Sequence, residues 1–178
     1  MHLAASPPQR VSSLPMNAPL PTSLHFDIRG LVTAMAHSHA SDALRCQCST
    51  QQWEVLASYM QPFALQQGQS LIEQGATDQT LYFIESGTLS VHYQDDKGRI
   101  RLAMVAAGSV VGEGAFFSHL PRSASVQATN ACKLWCLTAL RFKELANRHS
   151  PIALELTLAL GAVLAKRLGN RPKRVAVT

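Results

Sequence analysis

Apolar and polar positions along the chain change their period several times, and each change marks an expected element. The first stretch has no period. Five of the nine prolines fall before residue 22, in "SPPQRVSSLPMNAPLPTS", a composition that favours extended, solvated backbone, so residues 1–24 are expected to be disordered. "DIRGLVTAMA", from Asp27 to Ala36, can form a helix, and the polar run "HSHASD" follows it. His37 and His39 can together hold a metal or simply decorate a polar linker. At Ser49 a helix start is clear: "STQQWEVLASYM" offers a serine N-cap, a glutamine three residues on, and apolar Trp53, Leu56, Ala57 and Met60 on one face. That helix is expected to end near Met60, before Pro62.

Beyond Pro62 the period shortens. "LYFIESGTLSVHYQDDKGRIRLAMVAAGSVV" reads as short β-runs broken by turns at Gly87, Gly98 and Gly108, with "DDKG" as a hairpin tip. In "LSVHY", Leu89, Val91 and Tyr93 alternate with Ser90 and His92, which buries the first set and turns His92 outward. One helical turn at "EGAFF" interrupts the strands, which resume in "SASVQA" and "KLWCL". "TALRFKELANRH" then turns helical, with Phe142, Leu145 and Ala146 on one stripe. A last helix runs from about Pro151 to Leu168, capped by Ser150 and stopped by Gly169. Its leucines at 154, 156, 158, 160, 164 and 168, with Ile152 and Val163, surround the helix and leave no wide polar face. One side suits the chain's own core; the other requires a partner.

The 178 residues suffice for one domain and a tail, and 47% hydrophobic against 15% charged residues makes the chain globular. The formal charge of +5 is concentrated at the carboxyl end, in "AKRLGNRPKR", which reads as a solubilising tail or as a contact for an acidic partner. The longest apolar segment, Pro151 to Ala165, is about fifteen residues and contains Glu155, short of the roughly twenty a bilayer span needs. "MHLAASPPQR" has neither the charged start nor the apolar run of a secretory signal, so a cytoplasmic location is expected. Of the four cysteines, Cys132 and Cys136 would lie some 13 Å apart on a strand, beyond disulfide reach or shared chelation. Cys46 and Cys48 offer only two ligands, fewer than a structural zinc takes, so thiols without a metal are the plainer reading and a cluster the other.

The chemistry concentrates in "VVGEGAFFSHLPRSASV". A strand ending at Val111 and running into one helical turn at Glu113 to Phe117 leaves backbone N–H groups that Gly112 and Gly114 let an anion approach. Arg122 brings a planar fork matched to two phosphate oxygens, and Ser123 adds a hydroxyl donor. Glu113 beside an anion site needs a separate purpose, or a pairing with Arg122 in an empty barrel.

The order of elements, "GTLSV", "AGSVVGEGAFF" and above all "LPRSASV" resemble the cyclic nucleotide-binding domain family, the sensor module of catabolite activator-type regulators, over roughly Ser49 to Leu168. The resemblance implies a mainly β fold: a double-stranded β-helix (jelly-roll) barrel of about eight strands with flanking helices and a long carboxyl-terminal helix. It implies a ligand, cyclic AMP or cyclic GMP, held by Gly112, Glu113, Gly114, Ala115, Arg122, Ser123 and Ala124. Arg122 would take the phosphate and Glu113 would accept from the ribose 2'-hydroxyl. Val91, Leu102, Val105 and Val111 would line the pocket. Gly114 departs from the aliphatic residue usual in the family, which predicts a looser turn. Asn170 and Arg171 are the polar candidates where relatives select the base.

The resulting expectation is three parts: a flexible segment 1–40 with a possible short helix, a binding domain 41–169, and a basic tail 170–178. No cofactor, metal or catalytic group is expected. About ten residues after Gly169 leave no room for a helix-turn-helix, so sequence-specific DNA binding is not expected. The expected function is a stand-alone, non-enzymatic cyclic nucleotide sensor that signals to an unknown protein effector, as a homodimer through 151–168 burying Leu156 and Val163. Alternatives are a degenerate barrel acting as an interaction scaffold, an iron–sulphur or redox sensor, and a monomer in which "DIRGLVTAMA" folds back over the apolar stripe.

Overall fold

The computed structural model describes residues 26–94 and 100–169. The Pro-rich stretch up to residue 24, the "DDKG" tip, and the basic tail with Asn170 and Arg171 lie outside the described residues. The elements run α1 (Arg29–His37), α2 (Thr50–Ala57), β1 (Gln61–Leu65), β2 (Ser70–Ile72), β3 (Leu81–Ser86), β4 (Thr88–Gln94), β5 (Ile100–Ala106), β6 (Val110–Val111), α3 (Glu113–Ser118), β7 (Ser125–Ala128), β8 (Cys132–Leu137), α4 (Ala139–Arg148) and α5 (Ser150–Gly169).

The strands form two four-stranded antiparallel sheets, ordered β1-β8-β3-β6 and β2-β7-β4-β5, the jelly-roll sandwich expected. Alternation decides what lies between them. Ile84, Leu89, Val111, Val126 and Leu134 fill the interior, while Leu81, Phe83, Val110 and Trp135 project from the opposite face of the first sheet into a second core shared with the helices. In β4, Leu89 and Val91 point inward as expected, Ser90 and His92 share the other face and are linked through His92 Nε2 and Ser90 Oγ at 2.9 Å, but Tyr93 is 39% exposed.

The helices begin where local chemistry starts them. Ser49 and Gln52 form a reciprocal capping box at α2, and Trp53, Leu56, Ala57 and Met60 are buried as one face. The α-helix stops at Ala57, and hydrogen bonds from Tyr59 and Met60 close a final turn. Thr138 caps α4 by accepting from the Arg141 N–H at 3.3 Å. Ser150 lies inside α5 and is not its cap; the His149 carbonyl accepts from Ile152 and Ala153 instead.

Two expectations about the ends change. The helix expected near residues 27–36 forms as α1, but Leu31 and Met35 are buried in the same core as Leu56, Trp135 and Leu160, so this part of segment 26–40 is built into the domain. Leu156 and Val163, expected in a dimer seam, are 0% and 1% exposed within the chain's own core. The open stripe of α5 is Leu154, Leu158 and Leu168, at 61%, 62% and 56% exposure. It borders a groove of about 530 Å³ lined by Phe117, Leu158, Gly161, Ala162, Leu164 and Ala165. α1 packs on β3 and leaves this stripe uncovered.

Candidate functional site

The site forms where β6 hands over to α3. Gly112 takes φ 94° and ψ 0°, a left-handed conformation that turns the chain sharply from strand to helix. A Cβ there would stand 2.6 Å from both the Thr80 carbonyl oxygen and Arg122 Nη1, so only glycine lets the Arg122 fork reach this backbone. Phe116 anchors the short helix: its ring meets Phe142 edge-on at 5.2 Å and Phe117 at 5.3 Å. A Cβ at Gly114 would meet nothing within 4 Å, so the missing aliphatic side chain at this position leaves open space and no defect in packing.

Arg122 is 3% exposed. Its backbone is pinned by hydrogen bonds from its N–H to the Ala76 carbonyl at 2.7 Å and from the Gly75 N–H to its own carbonyl at 2.8 Å. A guanidinium so buried must be neutralised and hydrogen-bonded, because an unpaired one costs several kcal/mol. Nε donates to Asp78 Oδ2 at 3.1 Å, Nη2 to Asp78 Oδ1 and to the Thr80 carbonyl at 2.8 Å, and Nη1 to the Gly112 carbonyl at 3.1 Å. The hydrogen bond from Arg122 is the main reason the Asp78 carboxyl sits below its ordinary pKa of 3.8. Asp78 thus grips the fork along the Nε–Nη2 edge, as a two-oxygen anion would. The Tyr82 ring centroid lies 5.9 Å from the guanidinium carbon.

Glu113 and Arg122 do not pair. Glu113, 8% exposed, accepts from Arg167 Nη1 at 2.6 Å, and Arg167 Nε donates to Asp42 Oδ2 at 2.8 Å. One cation from the last turn of α5 therefore bridges α3 and the segment between α1 and α2. Burial works against the Arg167 charge, but the two carboxylates outweigh it and raise its pKa above the ordinary value. Arg167 Nη2 is buried without a hydrogen-bond partner among the described residues. This corrects the reading of Arg167 as part of a solvated tail: its side chain is 23% exposed.

The remaining expected residues divide. Ala115 is buried, Ala124 half-buried and Ser123 exposed beside Arg122. Val105 and Val111 are buried in the sandwich interior, with Val91 packed against them. Leu102 is not there. The β4–β5 register pairs Val91 with Ala103 and His92 with Leu102, which puts Leu102 on the outer face at 61% exposure. A shallow, open depression of about 400 Å³ lies along Gln61, Phe63, Leu65, Leu71, Tyr82 and Cys136. Cys46 and Cys48 lie with their sulphurs 3.3 Å apart, and burial pushes both thiol pKa values up.

Sequence reasoning did not single out Asp78, Thr80, Tyr82 or Asp42. The contact from Arg122 to Asp78 spans 44 residues and that from Arg167 to Asp42 spans 125. An arginine that is buried requires a carboxylate, but nothing local in the sequence says which carboxylate it takes.

Comparison with known proteins agrees with this geometry. The cyclic nucleotide-binding domain family matches residues 62–149, a span holding β3 to β8, α3, Asp78, Glu113 and Arg122. The chain is 40% identical over 62 residues to the cAMP-dependent protein kinase type II regulatory subunit of Drosophila melanogaster, covering 35% of this chain and 16% of that protein. It is 30% identical over 106 residues to the cAMP-activated global transcriptional regulator CRP of Escherichia coli O6:H1, covering 57% of this chain and 50% of that one. The chain thus spans half or less of the length of these relatives. A cyclic nucleotide-binding domain from Methylobacillus flagellatus superposes with a TM-score of 0.73 at 21% identity over 83% of each chain, which shows the shared fold. The sandwich, the β6–α3 junction and the matched sequence lead to one conclusion: residues 62–149 belong to the cyclic nucleotide-binding domain family.

Proposed function

We propose that the protein is a cyclic nucleotide sensor: a non-enzymatic module that binds a 3',5'-cyclic nucleotide of the cyclic AMP or cyclic GMP type and passes the event to a partner. The observation that carries this reading is Arg122, 3% exposed at a glycine-opened strand–helix junction, with a bidentate carboxylate on the edge a phosphate would use. Two phosphate oxygens replace the two Asp78 oxygens without leaving the guanidinium unpaired. Gly112, Gly114 and Ala115 set the adjoining backbone, and Ser123 and Ala124 continue the wall into β7. Glu113 keeps one oxygen without a partner among the described residues, and that oxygen accepts from the ribose 2'-hydroxyl. Val91, Val105 and Val111 back the site from the interior.

The signal leaves through α5, since Arg167 joins that helix to Glu113. The stripe Leu154, Leu158 and Leu168 beside the groove at Phe117 is the surface that a second copy covers, giving a homodimer with α5 at its seam. Among the described residues no helix is long and apolar enough to cross a membrane; a cytoplasmic sensor is the proposed setting.

One observation favours the scaffold reading instead: Arg122 and Glu113 both already hold protein partners. A thermal-shift titration of the full chain decides between them. Cyclic AMP or cyclic GMP at a hundred times its dissociation constant stabilises a binder by about 2.7 kcal/mol. A flat melting temperature with both, up to millimolar concentrations, overturns the sensor reading and favours the scaffold.

A further inference from the structure

The segment between α1 and α2 is tied to α5 at two places. Arg167 Nε donates to Asp42 Oδ2 at 2.8 Å, and the Gln47 N–H donates to Glu155 Oε1 at 2.7 Å. Asp42 is held independently of Arg167: Ala43 and Leu44 are 2% and 1% exposed, and the Leu44 N–H donates to the Gly108 carbonyl at 3.0 Å. Arg45 closes on the carbonyls of Met35 at 2.9 Å and Ser38 at 2.6 Å. The amino-terminal helix therefore sets where the Asp42 carboxylate stands.

That carboxylate decides how Arg167 meets Glu113. With Nε held on Asp42, the plane of the guanidinium is oriented so that Nη1 alone meets Glu113, and Nη2 is left buried without a partner among the described residues. One positive charge is shared between two carboxylates, so the cluster keeps a net negative charge and Glu113 keeps a free acceptor oxygen. Without the Asp42 side chain the guanidinium plane is free to turn and bring both Nη1 and Nη2 onto the two Glu113 oxygens, a bidentate arginine–carboxylate geometry. Glu113 then has nothing left to offer a hydroxyl.

We infer that Asp42 is a positioning residue for ligand selection: by holding Arg167 off the second oxygen of Glu113, it preserves the acceptor that distinguishes a ribonucleotide from its 2'-deoxy analogue. The inference rests on the proposed binding function and adds to it a role for the amino-terminal segment, which lies outside the matched span of residues 62–149.

The experiment is calorimetric titration of the full chain with cyclic AMP and 2'-deoxy cyclic AMP. The measured quantity is the ratio of their dissociation constants, which a general loss of stability does not change. The wild-type chain prefers the ribonucleotide by about tenfold or more, the value of a hydrogen bond to a charged group. Asp42→Ala, which removes the acceptor altogether, brings the ratio close to one, while Asp42→Glu, which keeps a carboxylate at this position, retains the preference. In an Arg167→Gln background Asp42→Ala leaves the ratio unchanged, because Asp42 acts through the guanidinium alone. A wild-type ratio in Asp42→Ala, or an equal drop with and without Arg167, overturns the inference and leaves the binding function standing. Failure of the wild-type chain to bind either nucleotide overturns both.

Discussion

Replacing Asp78 by Ala tests whether the carboxylate on Arg122 stands in for a ligand phosphate. In the empty protein the substitution strips a guanidinium that is 3% exposed of its only carboxylate among the described residues, leaving the Thr80 and Gly112 carbonyls. Removing one partner of a fully buried pair costs about 3–5 kcal/mol. The Asp78 side chain is 48% exposed, so water takes over part of its work, and the expected loss is about 1–2 kcal/mol. For a chain of this size that lowers the melting temperature by roughly 2–8 °C. In the liganded protein the phosphate oxygens occupy the same edge of the fork, so the loss is confined to the empty state. The dissociation constant for the cyclic nucleotide falls accordingly, by about tenfold. Thermal unfolding with and without saturating ligand, together with calorimetric titration, measures both halves. If Asp78→Ala loses stability and also binds ligand more weakly than wild type, Asp78 belongs to the binding site and the competition argument fails.

Arg122→Leu removes charge-assisted bonds and weakens cyclic nucleotide binding at least tenfold, and Glu113→Gln weakens it less because an amide oxygen still accepts; calorimetry giving the reverse order contradicts these roles. Gly112→Ala forces a left-handed residue with Cβ at 2.6 Å from the Thr80 carbonyl and destabilises by more than about 1 kcal/mol, whereas Gly114→Ala, with open space around it, stabilises by up to about 1 kcal/mol; urea denaturation compares the pair. The Asp78 pKa is depressed in the folded state, so the stability it contributes is fully present above the ordinary 3.8 and is lost as pH falls below that value. The gap in unfolding free energy between wild type and Asp78→Ala is therefore constant from pH 5 to 7 and narrows under acid. Leu158→Glu, in the open stripe of α5, converts a dimer into a monomer by light scattering without lowering the melting temperature of the monomer fold.

Much of this architecture was readable before any coordinates. Capping signals, strand alternation and glycine turns act over a few residues, so Ser49 and Gln52 marked the start of α2, and Leu89 and Val91 marked the inner face of β4. The strand-to-helix turn at Gly112 was legible for the same reason, since the residues that cause it are neighbours in the chain. Register was not. Leu102 has the composition of a pocket residue, but its side is decided by which residue of β4 stands opposite, and a shift of one position exchanges the two faces. The open side of α5 was equally hidden, because an apolar surround does not say which leucines the chain's own core will take. The partners of the two charged site residues were the furthest from view. Local sequence supplies an arginine and a glutamate close to one junction, and their burial requires that each find an opposite charge. Only the fold, by bringing Asp78 to Arg122 and both Asp42 and Glu113 to Arg167, decides that they do not find each other.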